Sequence, residues 1–278
     1  MTAQMLERQG APALRYWDGG GQEPPVMLIH GVGADGTSWD QIAAALAPEF
    51  RILRLDLRGH GQSGHIEGTL SLDDFVRDVV DVLDACAVPA AHILGFSLGG
   101  MIAQGLALHH PDRVRRLILL SAVAGRTADE RERVQARLTI LRDQGIEAIT
   151  GAAQERWFTP EFIARNPDLV QRRMRQLREN HAPSYAAAYT VFSTSDLGDR
   201  LHAIRVPTLV ATGEHDAGSN TRMARFMHGQ ITGSRVEILP SLRHSILVEA
   251  PDMVTRLIRD FLQEHSRVGT APGRSAAT

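Results

Sequence analysis

Ser97 stands at the centre of Gly95-Phe96-Ser97-Leu98-Gly99. The spacing suits nucleophilic chemistry, because a glycine on either side lets the serine occupy a turn too tight for a neighbouring Cβ. A serine hydroxyl is a weak nucleophile at neutral pH and needs a base in hydrogen-bond reach, itself oriented by an acid. Of twelve histidines, His244 is the expected base. It lies in the polar stretch Pro240-Ser241-Leu242-Arg243-His244-Ser245, between the last apolar strand-like run and the last helix-like one, whereas His109, His110 and His228 fall near helix ends. Asp216 follows the run Thr208 to Ala211 and gives the chain order Ser, Asp, His, with Glu214 its near competitor. Ser121-Ala122-Val123-Ala124, after the run ending at Leu120, offers no carboxylate.

Acyl chemistry at Ser97 also requires donors for a developing oxyanion. One is the backbone N–H of Leu98, at a helix start where such groups lack intrahelical partners. The other is that of Val32 in His30-Gly31-Val32-Gly33, which ends an apolar run. That loop competes for a different role: Gly31-Val32-Gly33-Ala34-Asp35-Gly36 matches the G-x-G-x-x-G fingerprint, with Asp56 about 20 residues on, and as a nucleotide site it would cradle a nicotinamide or flavin cofactor. The nucleotide reading leaves the Ser97, Asp216 and His244 settings unexplained, so no cofactor or metal is expected.

The elements that must hold these groups show in the alternation of short apolar runs with helical stretches. Val26 to Ile29, Arg51 to Leu55, His92 to Leu94, Arg116 to Leu120, Thr208 to Ala211 and Val236 to Leu239 read as buried strands. Helices are expected from about Ser38 to Leu46, Leu72 to Cys86, Leu98 to His109, Arg222 to His228 and Pro251 to Gln263. This is an α/β pattern, a mostly parallel central sheet with helices on both faces. Between about 125 and 200 the strand-like runs vanish and helix starts multiply, at Thr127/Glu130, Thr159-Pro160-Glu161 and Asn166-Pro167-Asp168. The expected organisation is therefore a core of 1–124 and 201–265, a helical cap of 125–200 and a disordered tail of 266–278. Arg172, Arg173, Arg175 and Arg178 are read as a solvated helix face.

Composition narrows the function classes. A formal net charge of −2 gives no basic face for nucleic acid or an anionic membrane. No apolar run has the length of a signal peptide or a membrane span. The lone Cys86 reads as a buried thiol. A small-molecule substrate and a cytoplasmic location are expected, and a homo-oligomer is not predicted.

With these residues placed, the chain resembles the α/β-hydrolase family from about Leu14 to Leu262. Four separated motifs carry the resemblance: His30-Gly31-Val32-Gly33, Asp56-Leu57-Arg58-Gly59-His60-Gly61-Gln62-Ser63, Gly95-Phe96-Ser97-Leu98-Gly99-Gly100, and the Asp216 and His244 segments. It implies that the first supplies the oxyanion hole, the second is largely structural and the others carry a catalytic triad. The cap segment Arg156-Trp157-Phe158-Thr159-Pro160-Glu161-Phe162 is similar to that of 3-oxoadipate enol-lactonases and relatives that open small acidic ring-cleavage products. A serine hydrolase of a small ester or lactone is implied, with Trp157 near the substrate. Ala217-Gly218-Ser219-Asn220, where many relatives have a Pro-containing turn, and Arg243 beside His244 depart from the pattern and keep open an amide or enamide of a small dicarboxylic acid. Receptors that retain the triad, and cofactor-free oxygenases or peroxidases, share this fold.

Overall fold

The computed structural model describes residues 2–21, 24–66 and 68–264; the expected tail at 266–278 lies outside them. Eight strands form one sheet: β1 (Ala3–Leu6), β2 (Leu14–Asp18), β3 (Pro25–Ile29), β4 (Arg51–Leu55), β5 (Ala91–Phe96), β6 (Val114–Leu120), β7 (Thr208–Gly213) and β8 (Arg235–Leu239), in the order β1-β2-β4-β3-β5-β6-β7-β8. From β4 to β8 every pairing is parallel. The six strands read from sequence are all present. The two unread ones, β1 and β2, pair antiparallel at the edge. Their signal is weak because β1 is short and largely solvent-facing, with no alternation to read.

The apolar runs are continuous because both faces of the sheet are covered. Along β3, Met27 and Ile29 enter one core and Val26 and Leu28 the other; along β6, Leu117 and Leu119 part in the same way from Ile118 and Leu120. The first core is closed by α2 (Leu72–Ala85), α3 (Leu98–His109) and α9 (Thr221–Gln230). The second is closed by α1 (Asp40–Leu46), the short α10 (Ile246–Glu249) and α11 (Pro251–Gln263). Each side chain fully buried in this way contributes roughly 1.5–3 kcal/mol.

Between β6 and β7 the chain makes five helices with a core of their own: α4 (Ala128–Gln144), α5 (Ile146–Trp157), α6 (Pro160–Arg165), α7 (Pro167–Arg178) and α8 (Ala182–Thr194). Thr127 and Glu130 form a reciprocal capping box at α4, and the Thr159 side chain accepts from the Phe162 N–H at α6. Asn166 makes no such bond, and its amide turns back to the Phe162 carbonyl instead. Among the described residues no helix is long and apolar enough to cross a membrane.

Candidate active site

The strand order places the switch point at β3. From β3 the chain moves outward to β4, then returns across β3 to reach β5, which opens a crevice beyond the carboxyl ends of β3 and β5. Ser97 sits there, between β5 and α3, with φ +55° and ψ −115°. A non-glycine residue at positive φ is held against a conformational cost of order 1–3 kcal/mol. Here the surroundings enforce it: Ser97 N–H bonds Leu120 O at 2.9 Å, and Gly100 N–H bonds Ser97 O at 2.9 Å. The flanking glycines are required for close approach. A Cβ on Gly95 would lie 2.1 Å from Gly99 O, and one on Gly99 would lie 2.2 Å from Ile29 O.

His244 Nδ1–H donates to Asp216 Oδ2 at 2.7 Å, which leaves Nε2 as the ring nitrogen available for proton transfer. Asp216 is 3% exposed, and its other oxygen accepts from the Gly218 and Ser219 N–H groups at 2.8 and 2.9 Å. The Ala217-Gly218-Ser219-Asn220 turn thus holds the carboxylate without a proline. Burial alone would raise the Asp216 carboxyl pKa; the His244 charge and hydrogen bond and these two N–H groups outweigh it and hold the group ionised. Glu214 is elsewhere: half-exposed, it accepts from the Ser241 N–H at 2.9 Å. Ser97, Asp216 and His244 line one cavity, in which the Phe96 ring lies 5.0 Å from the imidazole.

Val32 borders the same cavity, and Leu98 is the first residue of α3. Among the described residues neither backbone N–H donates to a protein acceptor. The β3 loop abuts the serine turn, since a Cβ on Gly31 would be 3.0 Å from Ser97 Cβ. His30 fixes the loop from below. Its Nδ1–H donates to Gly31 O (2.8 Å) and its Nε2 accepts from Leu57 N–H (2.9 Å). Complete burial keeps the ring neutral, with its pKa pulled down to about 4.

The residues of the nucleotide fingerprint bond one another. Asp56 is buried and accepts from Gly36 N–H (2.7 Å) and Gln62 N–H (2.9 Å). Its carboxylate is occupied by the loop itself, and a Cβ on Gly33 would meet Leu177 and Tyr185 of the helical insertion at 2.8 Å. In the same motif Arg58 pairs with buried Asp78.

The insertion forms the opposite wall. Trp157 borders the cavity, and its carbonyl accepts from Ser245 N–H at 2.9 Å, next to His244. Arg243 donates to Phe158 O (3.1 Å) and to Glu155 O, so the residue that looked out of place beside His244 ties its loop to α5. Arg172, Arg175 and Arg178 are solvated as expected, but Arg173 corrects that reading. It turns inward, donates to Gly33 O at 2.7 Å and lies 4.8 Å over the Trp157 ring. Arg137 and Arg156, together with Tyr185 and Tyr189, complete this wall. The signal for these arginines is helical phase. Arg137 falls in step with buried Val134, Leu138 and Leu141, Arg156 with Ile149 and Ala153, and Arg173 with Val170, Met174 and Leu177. Among the described residues none of the three forms an ion pair, and no group of three or more His, Cys, Asp or Glu is placed to hold a metal.

Comparison with known proteins agrees with this arrangement. A family model for the alpha/beta hydrolase fold matches residues 24–251. The chain is 31% identical to 3-oxoadipate enol-lactonase 2 of Acinetobacter baylyi, over 90% of this chain and 93% of that protein. It is 28% identical to (E)-2-((N-methylformamido)methylene)succinate hydrolase of the same organism, over 95% and 99%. The crystal structure of the enol-lactonase from Burkholderia xenovorans gives a TM-score of 0.87 at 28% identity, covering 94% of this chain and all of that one. With a matched family model over most of its length and this sheet order, the chain belongs to the α/β-hydrolase fold family.

Proposed function

We propose that the protein is a serine hydrolase that cleaves a small carboxylic ester or lactone bearing an acidic group, through an acyl-enzyme. The observation that carries this reading is the Asp216–His244 pair opening onto the same cavity as Ser97, on a turn held at positive φ. In the reaction, Ser97 Oγ attacks the carbonyl carbon as His244 Nε2 takes its proton. The Val32 and Leu98 N–H groups stabilise the tetrahedral oxyanion. Collapse breaks the bond to the leaving oxygen, which receives the proton from His244; in a lactone that oxygen stays attached to the acyl chain. Water, deprotonated by His244, then attacks the acyl carbon and releases the acid and Ser97. Asp216 holds the imidazole tautomer and offsets the charge it acquires. The three-arginine wall, with no carboxylate partner of its own, favours an acidic substrate. The 3-oxoadipate enol-lactonases point the same way by their name.

The test is Ser97→Ala, assayed with activated esters and small anionic lactones. kcat should fall by about 10⁴-fold or more with the thermal transition retained, and a fluorophosphonate should label the wild type stoichiometrically and the variant not at all. Wild-type turnover by the folded variant would refute the assignment.

A further inference from the structure

A second cavity, of about 290 Å³, lies behind the catalytic one, between α4 and the turn that follows Asp216. The two share Arg137, Arg156, Phe192 and Gly218. Its walls add Arg126 and Arg133, so four arginines line one space. Arg126 is 4% exposed; Nη1 donates to Ser195 O at 3.0 Å, and the group stacks on Phe192 at 4.8 Å. Its Nη2 is buried with no acceptor. A charged donor left unpaired at that depth keeps its desolvation cost, so the protein itself does not fully compensate this cluster.

The nearby acids have partners of their own and offset the charge of this cluster only in part. Glu130, on the same wall, is held on one oxygen by Asn220 Nδ2 (2.7 Å) and Arg222 Nε (3.1 Å) and on the other by Arg222 Nη2 and the Thr127 N–H (2.8 Å). Asp196 accepts the N–H groups of Gly125, Gly198 and Arg126 and lies 3.6 Å from Arg131. Burial lowers the pKa of Arg126 and of Arg156, and the Arg137 charge adds to both; the Asp196 and Glu130 charges oppose this at Arg126, as the Asp216 charge does at Arg156, without cancelling it. An anion bound in the cavity would relieve the repulsion among these groups.

We infer that this cavity is a distal anion subsite that takes a second carboxylate of the substrate, at the end remote from the scissile bond. It rests on the hydrolase reading above for what happens at the other end. The substrates selected are then esters or lactones of acids that keep two free carboxylates, one against the Arg137–Arg156 wall of the catalytic cavity and one reaching Arg126 and Arg133.

Calorimetry of the wild-type protein with two non-hydrolysable acids tests this without relying on Ser97. Glutarate, with two carboxylates, should bind at least tenfold more tightly than butyrate, with one. Arg133 is exposed, so Arg133→Glu should fold normally and reduce that ratio at least tenfold; Arg126→Met should reduce it as well. Raising salt from 0.05 to 0.5 M should weaken glutarate more than butyrate. Equal affinities in the wild type, a ratio unmoved by Arg133→Glu, or inorganic phosphate binding more tightly than glutarate would each overturn the inference. Because none of these readouts is turnover, active Ser97→Ala would sink the hydrolase reading and leave the subsite measurement standing.

Discussion

The two walls of the cavity are built on opposite terms. On the sheet side every charged or strained group has a protein partner: Asp216 has His244 and two N–H groups, His30 has Gly31 and Leu57, and the Ser97 turn is pinned by Leu120 and Gly100. On the helical side Arg137, Arg156 and Arg173 face the same space without a carboxylate. A preorganised wall suits bond chemistry, which gains nothing from groups that must reorganise. An under-neutralised wall suits selection, because its electrostatics are completed only when the right ligand arrives. Changes on the sheet side should therefore act on kcat and on folding, and changes on the helical side on affinity.

The largest effect expected within this contrast is that of Asp216→Asn. The amide keeps the size but cannot accept at both positions from His244 and the turn, and it favours the wrong imidazole tautomer. kcat should drop by about 10⁴-fold with KM little moved. Steady-state kinetics decide it, and an unaffected kcat would remove Asp216 from the catalytic role. Next comes Gly99→Ala, which puts a Cβ 2.2 Å from one main-chain carbonyl oxygen and 2.7 Å from another. Neither Ile29 O nor His30 O can withdraw without breaking β3, so a loss of about 3 kcal/mol or more is expected in denaturant unfolding.

Acid should attack the same side. The histidines with strongly lowered pKa are His30, His60 and His92, all in the sheet half; the insertion's only histidine is His181. For His92, burial and then the Arg116 and Arg115 charges take the pKa from 6.5 to about 4. Because the folded value lies below the unfolded one, the unfolded chain binds the extra proton. The contribution is complete above pH 6.5 and is lost as pH falls toward 4, amounting to about 2 kcal/mol by pH 5. His92→Gln should flatten the fall in Tm between pH 6.5 and 4. An unchanged slope would mean that this ring is not protonated on unfolding.

The same contrast explains what could be read before the fold was known. Sheet-side residues are chosen by backbone geometry, and geometry restricts residue type: only glycine fits at positions 95 and 99, and an apolar run buried on both faces announces β3, β5 and β6. Helix starts on the other side were legible for the same reason at Thr127 and Thr159, whose side chains do cap. The arginines were not, because Arg173 and its neighbours Arg172 and Arg175 are one residue type, and only the phase against Val170, Met174 and Leu177 separates the inward one. The strands β1 and β2 escaped because their pairing is set by their partners, β2 on β4 and β1 on β2, rather than by a pattern of their own.

The smallest effect is the sharpest check on the contrast, since the same substitution should change sign across the cavity. Gly151 lies inside α5, where a Cβ would meet nothing within 4 Å and the backbone is not at positive φ. Alanine there fills no contact and displaces none. Its effect comes from the unfolded chain, which loses conformational freedom, and from the higher helical propensity of alanine. Gly151→Ala should stabilise the protein by about 0.5–1 kcal/mol, where Gly99→Ala destabilises it severalfold more. Both can be read from one pair of urea titrations on the full chain. Kinetics on Gly151→Ala add a second readout: kcat on a neutral ester should stay within about twofold of wild type, because the helix carries no group that touches the scissile bond from that position. If Gly151→Ala instead lowered stability, α5 would be held in a conformation that its own propensity opposes, and the helical wall would be as tightly specified as the sheet it faces.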